Sequence, residues 1–116
     1  MTLNSKKKGY VYEYRMVKWL KEIGYGAARR ASKTVDDMGV DIEGTGPFLF
    51  QCKRMEKYPR FDQVLDHMTF DKRLINVVLY RRNRTEDIAV LFKDDFEKII
   101  TFIKEREPEF INHLNS

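Results

Sequence analysis

Asp41, Gln51, Cys52 and Lys53, with Glu13 far upstream, bring together the residue types that a hard divalent cation and a phosphate group both require. Cations of this kind prefer oxygen ligands, and a bound cation can activate water and offset the charge that develops on a phosphodiester during hydrolysis. Asp41 offers a carboxylate, Gln51 an amide oxygen and Lys53 a positive charge for the phosphate.

These side chains need elements that hold them together. If Phe48 to Lys53 is a strand, alternation puts Leu49, Gln51 and Lys53 on one face and Phe48, Phe50 and Cys52 on the other. Val40 to Glu43 alternates likewise, which predicts Val40 and Ile42 on one side and Asp41 and Glu43 opposite. Gly44-Thr45-Gly46-Pro47 reads as a tight connection, so the two runs pair as a hairpin with Asp41 near Gln51 and Lys53. Glu13 belongs to a helix predicted from Tyr10 to Ile23 and falls on its apolar side, with Met16, Val17 and Leu20 following at helical spacing. A carboxylate there requires a metal, a hydrogen bond or a cationic partner such as a neighbouring Lys or Arg.

Basic residues flank every candidate ligand: Lys6 to Lys8 before the first helix, Arg29, Arg30 and Lys33 before Asp41, and Lys53, Arg54, Lys57 and Arg60 after Gln51. The formal net charge is +4 with 34% charged residues, which permits a polyanionic partner. Lys8, Arg29, Arg30, Lys33, Arg54 and Lys57 are the candidates for phosphate contact. Arg81, Arg82 and Arg84, around Asn83, read as solvated residues of a hairpin turn. Glu43 reads as a surface strand residue that could serve as a spare ligand.

The pattern Lys8-Gly9, three residues, Glu13 and then Arg15, followed by Gly39-Val40-Asp41 and Gln51-Cys52-Lys53, resembles the PD-(D/E)XK nuclease superfamily. Within it the likeness is nearest to archaeal-type Holliday junction resolvases and their viral relatives. It covers roughly residues 6 to 54 in motif terms. These resolvases usually have Glu where this chain has Gln51, and a Gln there is more similar to the methylation-directed type IV restriction nucleases. The resemblance implies Mg²⁺, or Mn²⁺ in its place, held by Asp41, Gln51 and the Cys52 carbonyl, with Glu13 acting through water. Lys53 would orient or deprotonate the attacking water, and Ser32 roughly matches a loop serine that touches the scissile strand. Two symmetric incisions in a branched DNA further imply a homodimer.

The remaining elements follow the same order. Gly24 ends the first helix; a short strand is predicted over Gly26 to Ala31, then a polar loop from Ser32 to Met38. After the hairpin, Phe61, Val64, Leu65 and Met68 have the spacing of a second helix. Leu74 to Tyr80 and Ile88 to Phe92 read as paired strands. Phe96, Ile99, Ile100 and Ile103 form the stripe of a last helix expected to face the core. The expected fold is α/β, a restriction-endonuclease-like mixed central sheet flanked by helices in the order αβββαββα. Its 116 residues make one domain spanning residues 1–116, with 42% hydrophobic and 13% aromatic residues to fill one core.

Cys52 is the single cysteine, so a cysteine-based zinc site and an internal disulfide are excluded; it reads as a small buried hydrophobe. His67 and His113 lack metal-binding spacing, and His67 reads as a residue of the polar side of its helix. No apolar run reaches the roughly 18 residues that span a bilayer, and the first residues lack the apolar run of a signal peptide. The expected setting is intracellular and soluble, in cytoplasm or nucleoid, with no membrane and no small-molecule cofactor. So compact a nuclease suits a viral origin, which no residue requires. Three functions stay open: a junction-resolving endonuclease, a restriction-like general DNA nuclease, and a catalytically silent DNA-binding module.

Overall fold

Side-chain alternation along one central strand sorts the apolar residues into two cores. In this computed structural model, which describes residues 5–116, that strand is β3 (Phe48–Arg54). On one face Phe50, with Phe48 and Cys52 beside it, joins Tyr12, Met16, Leu20, Ala28, Ile42, Val77 and Leu79. On the other, Leu49 joins Val35, Val40, Leu65, Met68 and Val78. The first helix, α1 (Ser5–Glu22), covers the former face through Tyr12, Met16 and Leu20, one residue per turn.

The chain continues through β1 (Arg29–Arg30), α2 (Lys33–Asp36), β2 (Ile42–Glu43) and β3, then α3 (Phe61–Asp66), β4 (Ile75–Arg81), β5 (Ile88–Val90), α4 (Lys93–Glu105) and α5 (Glu107–Leu114). The five strands form one sheet in chain order. Only β3 and β4 run parallel; the other neighbours are antiparallel. A parallel pair needs a crossover, and α3 supplies it, covering the second core with Leu65. The fold is therefore α/β, a mixed five-stranded sheet flanked by helices, with the expected order αβββαββα embedded in it.

Three expectations are corrected. The polar stretch Ser32 to Met38 contains α2, whose start Ser32 caps by accepting the Val35 N–H at 3.5 Å. Val40 and Ile42 do not share a side: each is fully buried, Val40 in the second core and Ile42 in the first. Alternation fails there because the chain bends at Asp41 and β2 begins only at Ile42. The stripe of α4 is not core either. None of its residues is buried, Phe96 and Ile100 are exposed, and the helix is followed by α5, whose Phe110, Ile111 and Leu114 are exposed as well.

Two glycines fix the segment between the cores. Gly39 has φ +84° and Gly44 φ +76°, and a methyl group at either would overlap a backbone carbonyl, that of His67 or of Ala27. The hairpin turn between β2 and β3 is braced by buried Thr45, whose hydroxyl donates to the Phe48 carbonyl at 2.6 Å. His67 is exposed at the end of α3, as expected. No helix of the described residues is long and apolar enough to cross a membrane; of the expected lack of a leader, residues 1–4 lie outside the described part.

Candidate active site

Asp41 is fixed by backbone on both sides before its side chain does anything. Its N–H donates to the Phe50 carbonyl and its carbonyl accepts from the Ala31 N–H, each at 2.8 Å. Ile42 is paired with Phe50, and with its own N–H on the same Phe50 carbonyl Asp41 lies beside the Phe50 to Cys52 stretch that carries Gln51. Asp41 Oδ2 then accepts the Cys52 N–H at 2.8 Å, standing where the next ladder carbonyl would be. Groups on a strand turn alternately to its two edges, so the Cys52 carbonyl faces the edge that its N–H faces. Gln51 and Lys53 lie on the α3 face with Leu49, as the alternation predicts.

The surroundings of Asp41 are acidic. Burial pushes its pKa up to about 7 against the Cys52 hydrogen bond, which lowers it; a hydrogen bond to the Asp36 carboxyl and the charge of Glu13 add to the rise. Glu13 is raised chiefly by burial, opposed by Arg30. Asp36, in the short α2, escaped sequence reasoning because four residues show no periodicity. Its only sign was an acidic pair, Asp36-Asp37, just before Met38-Gly39.

Of the partners that the sequence left open for Glu13, the cationic one is present. It is largely buried, and Arg30 Nε donates to its Oε2 at 3.0 Å. Arg30 also reaches the Tyr14 hydroxyl at 3.3 Å and stands 4.9 Å from the centres of the Tyr10 and Tyr14 rings. Arg29 pairs with Glu43 at 2.7 Å. Both arginines expected at phosphate are thus matched by carboxylates. Glu43 is not the surface residue expected: its side chain is 13% exposed, and Oε2 is buried without a partner. Ser32 spends its hydroxyl as a helix cap. Lys33 is exposed, 3.9 Å from Asp37, and Lys57 is exposed. Arg54 is mostly buried, bonded to Asn83 and 3.9 Å from Glu56.

The turn arginines are more engaged than expected. Arg81 lies 3.7 Å from Asp87, and the Arg82 guanidinium stacks 4.6 Å above the Tyr58 ring. Arg84 alone of the three is exposed, with φ +60°. Cys52 is free and packs against the first core, where burial first, and then Asp41 and Glu13, push its thiol pKa up.

No family model, curated protein sequence or solved structure matches this chain. The site's own donors therefore carry the chemical reading. Gln51 Oε1 is buried and accepts no hydrogen bond, a costly state for an amide oxygen. Among the described residues, no three His, Cys, Asp or Glu side chains form a ligand group by themselves. A cation at this position would therefore draw on the Asp41 carboxylate, the Gln51 amide oxygen and the Cys52 carbonyl. All are oxygen donors, which fits a hard cation.

Proposed function

We propose that this chain is a metal-dependent, structure-selective DNA endonuclease acting on four-way junctions as a homodimer. The observation that carries the reading is the unpartnered Gln51 oxygen on a strand whose Phe50 and Cys52 backbone groups, on either side of it, bond Asp41, a buried carboxylate whose pKa is raised to about 7. A group of acids that resists ionisation gains by binding a cation. Mg²⁺ or Mn²⁺, when bound, supplies Lewis acidity towards the phosphate and an activated water.

The remaining work falls to the chain. Asp41, held at its backbone by both neighbouring strand segments, presents a carboxylate in one position. Lys53, one pleat beyond Gln51 on the same strand face, places its ammonium towards the phosphate and the incoming water. Glu13, oriented by Arg30, contributes negative charge from α1.

The silent DNA-binding module is favoured by a specific observation too: Gln51 brings no charge, and the described acids alone form no ligand group. Cleavage of end-labelled four-way junction and matched linear duplex, in Mg²⁺, Mn²⁺ and EDTA, separates the readings. Paired cuts confined to the junction and lost in Asp41→Asn are expected. Equal cutting of linear duplex would replace this reading with the general nuclease, and binding without cuts would replace it with the silent module.

A further inference from the structure

Three cations converge on one small cavity between α1 and the end of β3, and none of the residues lining it is acidic. Lys8, Val11, Tyr12, Arg15 and Arg54 surround about 160 Å³. The first four are helical neighbours, since positions 8, 11, 12 and 15 share one face of α1. Arg54 comes from β3, on the face that also carries Phe50 and Cys52.

The charges are poorly compensated. Neither Lys8 nor Arg15 makes a hydrogen bond or ion pair within the described residues. Arg54 has only Asn83 and, at 3.9 Å, Glu56, and its side chain is 16% exposed. Tyr12 is 2% exposed, and its buried hydroxyl makes no hydrogen bond of full geometry, although the Asp87 carboxylate stands close enough to act on it. Burial, with Asp87 adding to it, pushes the phenol's pKa up, so it keeps a proton to donate. Like charges gathered around a buried donor repel one another unless an anion sits among them.

We propose that the Lys8, Tyr12, Arg15 and Arg54 pocket binds a phosphate monoester, the terminal phosphate of a nucleic-acid strand. The charge match selects the monoester. Three cations oppose the roughly −1.5 to −2 of a phosphate monoester at neutral pH better than the single charge of a backbone diester, and guanidinium groups suit its oxygens. The cavity, of about 160 Å³, has room for a phosphoryl group. A cut phosphodiester leaves such an end, so under the nuclease reading the pocket would hold a product end. The assignment itself rests on the pocket and not on catalysis.

The test is a binding measurement in EDTA, so that it is independent of cleavage. Fluorescently labelled oligonucleotides of one sequence, bearing a 5′-phosphate, a 3′-phosphate or only hydroxyl ends, are titrated with the protein, and thermal melting is followed with inorganic phosphate against chloride at matched ionic strength. One phosphorylated end is expected to bind roughly tenfold tighter than the hydroxyl strand, and inorganic phosphate to raise the melting temperature. Lys8→Gln with Arg15→Gln should abolish the difference while leaving the melting temperature in chloride unchanged or higher, because both residues lie at the surface of α1 without partners. Tyr12→Phe should weaken the phosphorylated strand alone, by a few fold. Equal affinity for all three strands overturns the assignment. So does a phosphate-induced rise in melting temperature without an end preference, which would make free phosphate the ligand. A preference for phosphorylated ends in a protein that never cuts would support the pocket while overturning the nuclease.

Discussion

The Asp41 carboxylate accepts the backbone N–H of Cys52 at 2.8 Å. A side chain thus takes the place of a strand at the point where β2 has not yet begun. The carboxylate is fixed by the sheet's own pattern of hydrogen bonding, and the residue following Gln51 cannot shift register without breaking that bond. The placement of this carboxylate and the strand register are one constraint here.

The first prediction concerns pH. The pKa of Asp41 is raised in the folded chain to about 7, so the native state binds a proton that the unfolded chain releases near the ordinary carboxylate value. Stability from this group is present at low pH and is lost as pH rises through about 7. Melting in EDTA should give a lower temperature at about pH 8.5 than at about pH 5.5, and Asp41→Asn should flatten that part of the difference. Mg²⁺ should recover stability mainly at the higher pH, where no proton competes. A profile that Asp41→Asn leaves unchanged would show that other groups set it.

Restoring a charge at Gln51 gives the second. Gln51→Glu should tighten Mg²⁺ binding by about tenfold, close to 1.4 kcal/mol, measured by calorimetry. The same change should lower the metal-free melting temperature at neutral pH, because another carboxylate joins Asp41 and Glu13. Unaltered Mg²⁺ affinity would remove Gln51 from the ligand set.

Backbone geometry gives the third. Gly39→Ala and Gly44→Ala each place a methyl group against a carbonyl at positive φ, and each should cost at least ~2 kcal/mol by denaturant unfolding. Gly26→Ala, where the added methyl meets nothing, is the control and should stay within about 1 kcal/mol of the parent.

The fourth separates the two kinds of apolar residue. Ile42 is wholly buried, so Ile42→Ala should cost about 3 kcal/mol. Ile100 is 46% exposed in α4, and Ile100→Ala should cost less than ~1 kcal/mol. Equal losses would mean that the α4 stripe is covered in solution.

Local signals made the hairpin legible. Alternation in Phe48 to Lys53 and the Gly-Thr-Gly-Pro turn suffice to bring Asp41 near Gln51, and both are properties of a few adjacent residues. Helix α1 was legible for the same reason, through Met16, Val17 and Leu20. Apart from the short α2, the misses depend on distant partners. Arg30 meets Glu13 and Arg29 meets Glu43 across long stretches of chain, so no local window shows that their charges are already matched. Val40 and Ile42 part company because Asp41 bends between two cores, which alternation alone cannot foresee. Periodicity identified α4 as an amphipathic helix but not what its apolar face meets.

That last feature bears on how the molecule breathes. The described chain measures 49 × 31 × 27 Å with a radius of gyration of 15.1 Å, above the roughly 13 Å usual for this length. Helices α4 and α5 contain no buried residue, so little apolar surface holds their backbone hydrogen bonds closed. Their amides should exchange with solvent deuterium through local opening, long before those of β3 and β4, which open only when the whole sheet does. These two helices, the last fifth or so of the chain, would then fray as their own unit, leaving Asp41, Gln51 and Lys53 in a sheet that does not feel it.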